Sequence, residues 1–214
     1  MMSQQPETLA LVKPALEYGP AFLAMVDDHI AHGEQYNYNN AVLAREDFAT
    51  FVRELKDEAY GIGLPEGLPA QQTYWLLKDS SLLIGEIRFR PHLEQPYEKF
   101  NGHVGYNIRP SYRGQGYGTR QLALLLEEAR QLALPGISMT IEDENPASEH
   151  IIEKNGGKLL RVIDNPSSLR VEELNGSWIA RDIIKENKRC ALWWINLSYK
   201  PLQKVWQKRW SGTA

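Results

Sequence analysis

Apolar positions along the chain switch between helical and strand periods, and the switches mark the elements. Residues 9–12 form a short apolar run closed by Lys13 and Pro14, which reads as a first strand. Pro20 suits a first helical position, and Phe22, Met25, Val26 and Ile30 recur at helical spacing until Gly33. Residues 35–40 carry Tyr36 and Tyr38 among three asparagines; this polarity predicts a loop whose exposed aromatics could wall a substrate. Asp47 can cap a second helix with Phe48, Phe51, Val52, Leu55 and Ala59 on one face, ended by the breaker-rich stretch 61–69.

The period then becomes that of strands. Residues 73–77 and 82–89, joined by Asp79-Ser80-Ser81, predict an antiparallel hairpin. A loop over 90–102, with Pro91, His92, Pro96 and Tyr97, leads into a central strand at 103–109. Leu122, Leu125, Leu126 and Ala129 then predict a helix that Pro135-Gly136 terminates, followed by a strand at 137–141. Asn145-Pro146 opens another helix that runs to Asn155 before Gly156-Gly157, and a strand at 158–163 completes a βαβα order. Asn165-Pro166 marks a turn, and residues 170–188 read as an extended hairpin or insertion around Asn175-Gly176. A strongly apolar strand at 191–197 closes the core. The pattern predicts one domain over 1–198 and a tail over 199–214. In that tail Leu202, Val205, Trp206 and Trp210 stand among Lys200, Lys204, Lys208 and Arg209. One short amphipathic segment is weak evidence for membrane binding, so the tail is expected to dock on its own domain or on a sister subunit in a homodimer.

Composition narrows the function classes. With 43% hydrophobic and 24% charged residues the chain is that of a globular protein. Its 24 basic and 27 acidic residues give a net charge of -3, so a whole-protein nucleic-acid binder is not expected. Cys190 is the only cysteine, which excludes an intramolecular disulfide and a multi-cysteine zinc site and fits a reducing cytoplasm. Residues 1–8 lack an apolar signal core, and no uncharged run reaches the roughly 18 residues of a membrane helix. A soluble, cytoplasmic, metal-free protein is the expectation.

The candidate chemistry lies where the central strand hands over to a helix, at Arg113-Gly114-Gln115-Gly116-Tyr117-Gly118-Thr119. Glycines let the backbone bend and let several N–H groups face one phosphate, and the helix dipole adds attraction at its N-terminus. Alone, three glycines also describe a bare strand–helix turn. The chain has no G-x-x-x-x-G-K-[ST] string and no G-x-G-x-x-G followed by a suitably placed acidic residue, which removes the P-loop and dinucleotide readings.

Further residues in order, Val104 to Pro110, the glycine turn, the leucine-rich helix, Asn145-Pro146-Ala147-Ser148 and Glu153-Lys154-Asn155-Gly156-Gly157, resemble the GNAT superfamily of acyl-CoA-dependent N-acetyltransferases. Tyr74-Trp75, the strand from Gly85 to Arg90, the Glu-Lys-Asn-Gly-Gly string and Trp194-Ile195 look like one bacterial branch of predicted acetyltransferases. The resemblance spans residues 82–163 and thins at both ends. It implies an α/β (α+β) fold: a mixed, mostly antiparallel sheet flanked by helices, with the strands ending at Arg109 and near Glu142 splayed apart. It implies acetyl-CoA as co-substrate in that opening. The pyrophosphate would lie on the backbone from Gln115 to Thr119, within a cofactor site of Arg113, Gly114, Gln115, Gly116, Tyr117, Gly118 and Thr119. The pantetheine arm would lie along Ile108, with Asn145 and Ser148 at positions that contact the arm in relatives.

Such a reaction needs a neutral amine, a stabilised oxyanion and a leaving thiolate. An alkyl amine with pKa near ~10.4 must lose a proton before it attacks. Glu86 and His103 are candidate bases, Glu86 facing either the cleft or Arg88 and Arg90; His92 reads as a solvated loop histidine. The N–H of Ile108 could meet the oxyanion. Relatives often place a tyrosine, as acid toward the thiolate, seven residues after the asparagine, where this chain has Ile152. A thiolate with pKa near ~8.5 can leave without it. The expected function is acetyl transfer from acetyl-CoA to a primary amine. The alternatives are a non-catalytic acyl-CoA-binding or sensing module of the same fold, and a scaffold using the tail.

Overall fold

The computed structural model describes residues 7–34, 36, 39–65, 67–93, 102–142, 144–164 and 189–198, with 167–174 and 177–184 described by their backbone. In chain order the elements are β1 (Leu9–Val12), α1 (Gly19–Ala31), α2 (Ala41–Glu46), α3 (Phe48–Glu58), β2 (Gln72–Lys78), β3 (Leu82–Phe89), β4 (Val104–Ile108), α4 (Tyr117–Gln131), β5 (Gly136–Glu142), α5 (Pro146–Lys154), β6 (Lys158–Asp164), β7 (Ser167–Leu174), β8 (Ser177–Ile184) and β9 (Arg189–Asn196). The strands form sheets ordered β1-β2-β3-β4, β5-β9-β6 and β7-β8, with antiparallel pairing inside each. This is the mixed, mostly antiparallel α/β architecture expected. The β7-β8 ribbon pairs from Ser167↔Ile184 to Leu174↔Ser177, the extended hairpin expected around residues 175–176. The expected features at 94–101, 165–166, 175–176 and 199–214 lie outside the described residues.

Two apolar layers flank the first sheet. Phe22, Met25 and Val26 of α1 and Phe51, Val52 and Leu55 of α3 pack on one face with Trp75 and Leu77 of β2. On the other face, Leu122, Leu125, Leu126 and Ala129 of α4 join Ile87 and Phe89 and the inner residues of β5 and β9. The capping residues act as expected: Asp47 Oδ1 accepts the Thr50 N–H at 3.0 Å, and Asn145 Oδ1 accepts the Ser148 N–H at 3.1 Å.

The expectation fails in three places, each for a packing reason. Ile30 is 57% exposed, and the buried slot on α1 belongs to His29, one residue earlier. Segment 35–40 is not wholly a loop surface: Tyr36 is buried against Phe22 and His29, with ring centroids 5.8 and 5.3 Å away, and Asn40 caps the additional helix α2 through the Leu43 N–H. Pro135-Gly136 is not the helix stop. Helix α4 ends at Gln131, and the turn is made by Ala133 at φ 54°.

Gly136 instead opens β5 beneath Trp194, where an added Cβ would lie 2.3 Å from the indole and 2.6 Å from the Ile195 carbonyl oxygen. Gly136→Ala is therefore expected to destabilise the protein by about 1–3 kcal/mol, because the facing backbone must shift. A urea titration reads this as a lower midpoint with unchanged slope.

The two principal sheets touch at one point and then part. Gly102 bridges to Met139, and the His103 N–H donates to the Ser138 carbonyl at 2.8 Å. At φ 64° Gly102 lies so close that a Cβ would meet the Ser138 oxygen at 2.6 Å. Beyond this seam β4 and β5 belong to separate sheets, and a cavity opens beside β4.

Candidate active site

Antiparallel pairing decides which groups of β4 face the cavity. Arg90 N–H bonds to His103 O and Arg109 N–H to Ile84 O, in register with Glu86↔Asn107. The backbone groups of Gly105 and Asn107 therefore point to β3, and those of Tyr106 and Ile108 point to the opposite edge, where the cavity lies. The cavity, of about 670 Å³, is lined by Tyr106, Asn107 and Ile108 on one side and by Asn145, Ala147, Ser148, His150 and Ile151 on the other. The glycine turn and the first residues of α4 also line it.

The three glycines have different reasons to be there. Gly114 and Gly116 adopt φ of 73° and 80°, with open space where a Cβ would stand, so backbone conformation selects them. Gly118 lies inside α4, and its Cβ would meet Ile151 Cδ1 at 2.6 Å, so it permits the approach of α4 to α5. The helical ladder begins with Arg120 N–H on Gly116 O. The N–H groups of Tyr117, Gly118 and Thr119 precede it at the positive end of the dipole. This combination fits an anionic group such as a pyrophosphate.

Arg113 lines the cavity, yet its charge is used elsewhere. Its Nε donates to the Ile108 carbonyl at 2.9 Å, and its two terminal nitrogens grip Glu34, one of them at 2.8 Å. Those Arg113 hydrogen bonds hold the Glu34 carboxyl down at about 2. Asp28 fastens the same turn, accepting from Ser111 N–H and Oγ–H at 3.0 and 2.6 Å. The C-terminal end of α1 thus braces the glycine turn. Tyr117 is braced from the other side: its hydroxyl donates to Glu7 at 2.7 Å and accepts from Lys78 at 2.9 Å. Burial raises the Glu7 carboxyl, but bonds from Lys78, Tyr117 and Arg120 outweigh it and bring the group to about 2. The Gln115 side chain turns back to the Ser111 carbonyl at 3.3 Å and is not on the cavity wall.

On α5, Asn145 and Ser148 stand together at the wall as cap and capped residue. Ile152 is fully buried in the core between α4, β5 and β9, so this position packs the domain while His150 and Ile151 reach the cavity. Asn155 Nδ2 donates to the Ile151 and Thr119 carbonyls at 2.8 and 3.2 Å, which ties α5 to the start of α4. Gly156 then turns at φ 82°, and Gly157 packs under Ile152, which accounts for the Asn-Gly-Gly string.

The two candidate bases occupy different environments. Glu86 is fully buried on the α1/α3 face of β3, where Oε2 accepts Tyr36 O–H at 3.0 Å and Trp75 Nε1–H at 3.1 Å. Burial raises its carboxyl above the ordinary 4.5, against the pull of Arg88, Trp75 and Tyr36. Burial, with the Glu86 charge second, also keeps the Tyr36 phenol protonated. Glu86 is off the cavity wall, but Asn107, directly opposite it across the β3-β4 ladder, is on it. His103 belongs to the seam. Its Nδ1 accepts the Ser138 N–H at 3.0 Å and lies 2.9 Å from Ser138 Oγ, which places the ring proton on Nε2. His92 is exposed.

Sequence patterning did not single out Tyr106, Asn107, Tyr112, Ala147, His150 or Ile151 as wall residues. Alternation along β4 could have separated Asn107 from its neighbours, but it does not say which face meets a ligand.

Two antiparallel sheets flanked by helices, with a cavity between β4, the glycine turn and the start of α5, define the α/β class of this protein. Residues 9–158 match the acetyltransferase (GNAT) domain model, and the chain belongs to that family. No curated protein matches the chain. Among solved structures, RimJ of Mycobacterium smegmatis in complex with CoA-disulfide superposes with a TM-score of 0.62 at 16% identity, over 90% of this chain and 84% of that one. The microcin C7 self-immunity acetyltransferase MccE, in complex with acetyl-CoA and AMP, gives 0.58 at 14% identity, over 88% and 92%. Mutant forms of the spermidine/spermine N-acetyltransferase SpeG from Vibrio cholerae give 0.52 at 16%, over 90% and 96%. At these identities the likeness is one of fold. Among the described residues, no helix is long and apolar enough to cross a membrane.

Proposed function

We propose that the chain is an N-acetyltransferase that takes acetyl-CoA as co-substrate and a primary amine as acceptor. The observation that carries this reading is the pairing of α4's N-terminus, capped by Gly116 in the left-handed conformation, with an open β4 edge that presents backbone groups of Tyr106 and Ile108. Acetyl-CoA would supply an acyl group activated as a thioester. The N–H groups of Tyr117, Gly118 and Thr119 would hold its pyrophosphate, and the β4 edge with Asn145 and Ser148 its arm. Ile108 N–H is the donor aimed at the opening where negative charge would develop. Arg113 occupies the Ile108 carbonyl, which leaves the N–H as that residue's contribution to the cavity. Glu86 is the carboxylate we assign to accept the amine's proton, reached through the Tyr36 hydroxyl that donates to it. His103 is assigned to holding the seam.

The burial of Ile152 favours one second reading, a module that binds acyl-CoA without turnover, because no hydroxyl stands at that place to protonate a leaving thiolate. Calorimetry with acetyl-CoA followed by thiol release in the presence of amines separates the two. Binding with amine-dependent thiol release is expected. Binding without release for any amine assigns the module, and absence of binding overturns both readings.

A further inference from the structure

We propose that residues 199–214 of the chain cover the apolar outer strand β6, extending the helical layer that α4 and α5 lay over the second sheet. In that sheet, ordered β5-β9-β6, the inner residues of β5 and β9, Met139 and Trp193 among them, pack under α4 and under Ile152 of α5. Among the described residues, no member of β6 joins this core. Leu159 and Val162 pair with Trp193 and Ala191 and so share their covered face, yet they are 50% and 44% exposed. The register shift between Leu159 and Arg161 sets Leu160 out of step, and it is 57% exposed. An outer strand with three large apolar side chains in water invites pairing with other chains, and natural proteins cover such edges.

Position, length and pattern select the occupant. Strand β9 runs antiparallel to β6 with Trp194 opposite Lys158, so the chain leaves β9 beside the start of β6 and Ser198 stands just beyond it. The segment that follows needs only a short tether to reach β6, which gives it an effective concentration of about millimolar that a separate molecule would have to match. Its length fits: residues 201–214 as a helix span about 21 Å, and the seven residues of β6 span about 23 Å. Pro201 suits a first helical position. At helical spacing Leu202, Val205, Trp206 and Trp210 fall within an arc of about 140°, while Lys200, Lys204 and Lys208 fall on the opposite side. The apolar arc lies on Leu159 and Val162, and the lysines face water. A helix of this length is marginal alone, so the strand it covers supplies the packing that orders it.

The test uses the full chain. Leu159→Cys or Val162→Cys is combined with Leu202→Cys or Val205→Cys and oxidised mildly at low protein concentration; Cys190, the one native cysteine, is buried. At least one pairing is expected to close within a single chain, seen by non-reducing electrophoresis and intact mass as a monomer that has lost its free thiols. Hydrogen exchange reads the same contact without new cysteines. Val205→Asp with Trp206→Ser is expected to speed amide exchange in residues 158–164 at least ~10-fold, and Leu159→Lys with Val162→Lys to speed it in residues 199–214. A cooperative melting transition shows that both variants are folded. Closure only between two chains assigns the surface to a second copy and overturns the proposal. Absence of closure in every pairing overturns it too, as does unchanged exchange in both folded variants. Protection of residues 199–214 that arises only with phosphatidylglycerol vesicles assigns the segment to a membrane surface and also overturns it.

Discussion

Replacing Gly116 with valine is expected to lower CoA affinity at least ~10-fold with little change in global stability. Gly116 sits at φ 80° as the N-cap of α4, a conformation that costs a β-branched residue about 1–2 kcal/mol. Nothing lies within 4 Å of the Cβ position, so the new side chain does not strain the core; it projects into the space an anion would use. The chain relieves the cost by turning the cap out of the left-handed region, which re-aims the N–H groups of Tyr117 and Gly118. Gly63→Val is the control, since Gly63 has a similar φ of 76° with nothing within 4 Å of its Cβ position and lies off the cavity wall. Calorimetry with CoA reads both variants. Equal affinity of Gly116→Val and wild type would count against the pyrophosphate assignment.

Glu86 is expected to give the second large effect, and two variants separate its roles. Glu86→Ala removes the acceptor shared by two buried donors, Tyr36 Oη–H and Trp75 Nε1–H, at ~1–3 kcal/mol each, a large share of the stability of an ordinary domain. Glu86→Gln keeps the volume and one acceptor oxygen, so it folds, yet it cannot take a proton. Its amine-dependent thiol release is expected to fall about 10²–10⁴-fold. Stability against pH gives a readout independent of turnover. The folded-state carboxyl is raised above 4.5 by burial, so between its unfolded and folded values the unfolded chain has lost the proton that the native one keeps. Wild-type stability from this group is thus fully present below the unfolded value and is lost as pH rises through the folded one. Glu86→Gln lacks that loss, and its stability profile over this window is flatter. A wild-type rate in Glu86→Gln would remove the residue from the chemistry, whatever its effect on stability.

The fold was legible where pattern and local chemistry agree. The β2-β3 hairpin, the Asp47 and Asn145 caps and the strand–glycine–helix junction all depend on residues close in sequence. The α1 register was not, because His29 and Ile30 are adjacent and hydrophobicity alone prefers the isoleucine inside. The structure buries His29 because its Nδ1 pairs with Glu34 at 3.0 Å, and Glu34 in turn grips Arg113 across the fold. Tyr36 was hidden for a similar reason. Its polar neighbours suggest solvent, while its phenol is needed inside, on Glu86.

By itself the sequence determined the order of the strands, the strand–glycine–helix junction and the family, since turn glycines, caps and apolar periods act over a few residues. Only the tertiary structure decided how the charged and polar side chains are used. Arg113 is committed to Glu34 and Ile108, Ile152 packs the core, His103 holds the seam and Glu86 is sealed beneath Tyr36. The reason is physical: what a polar group does depends on which donors and acceptors long-range packing brings within about 3 Å of it.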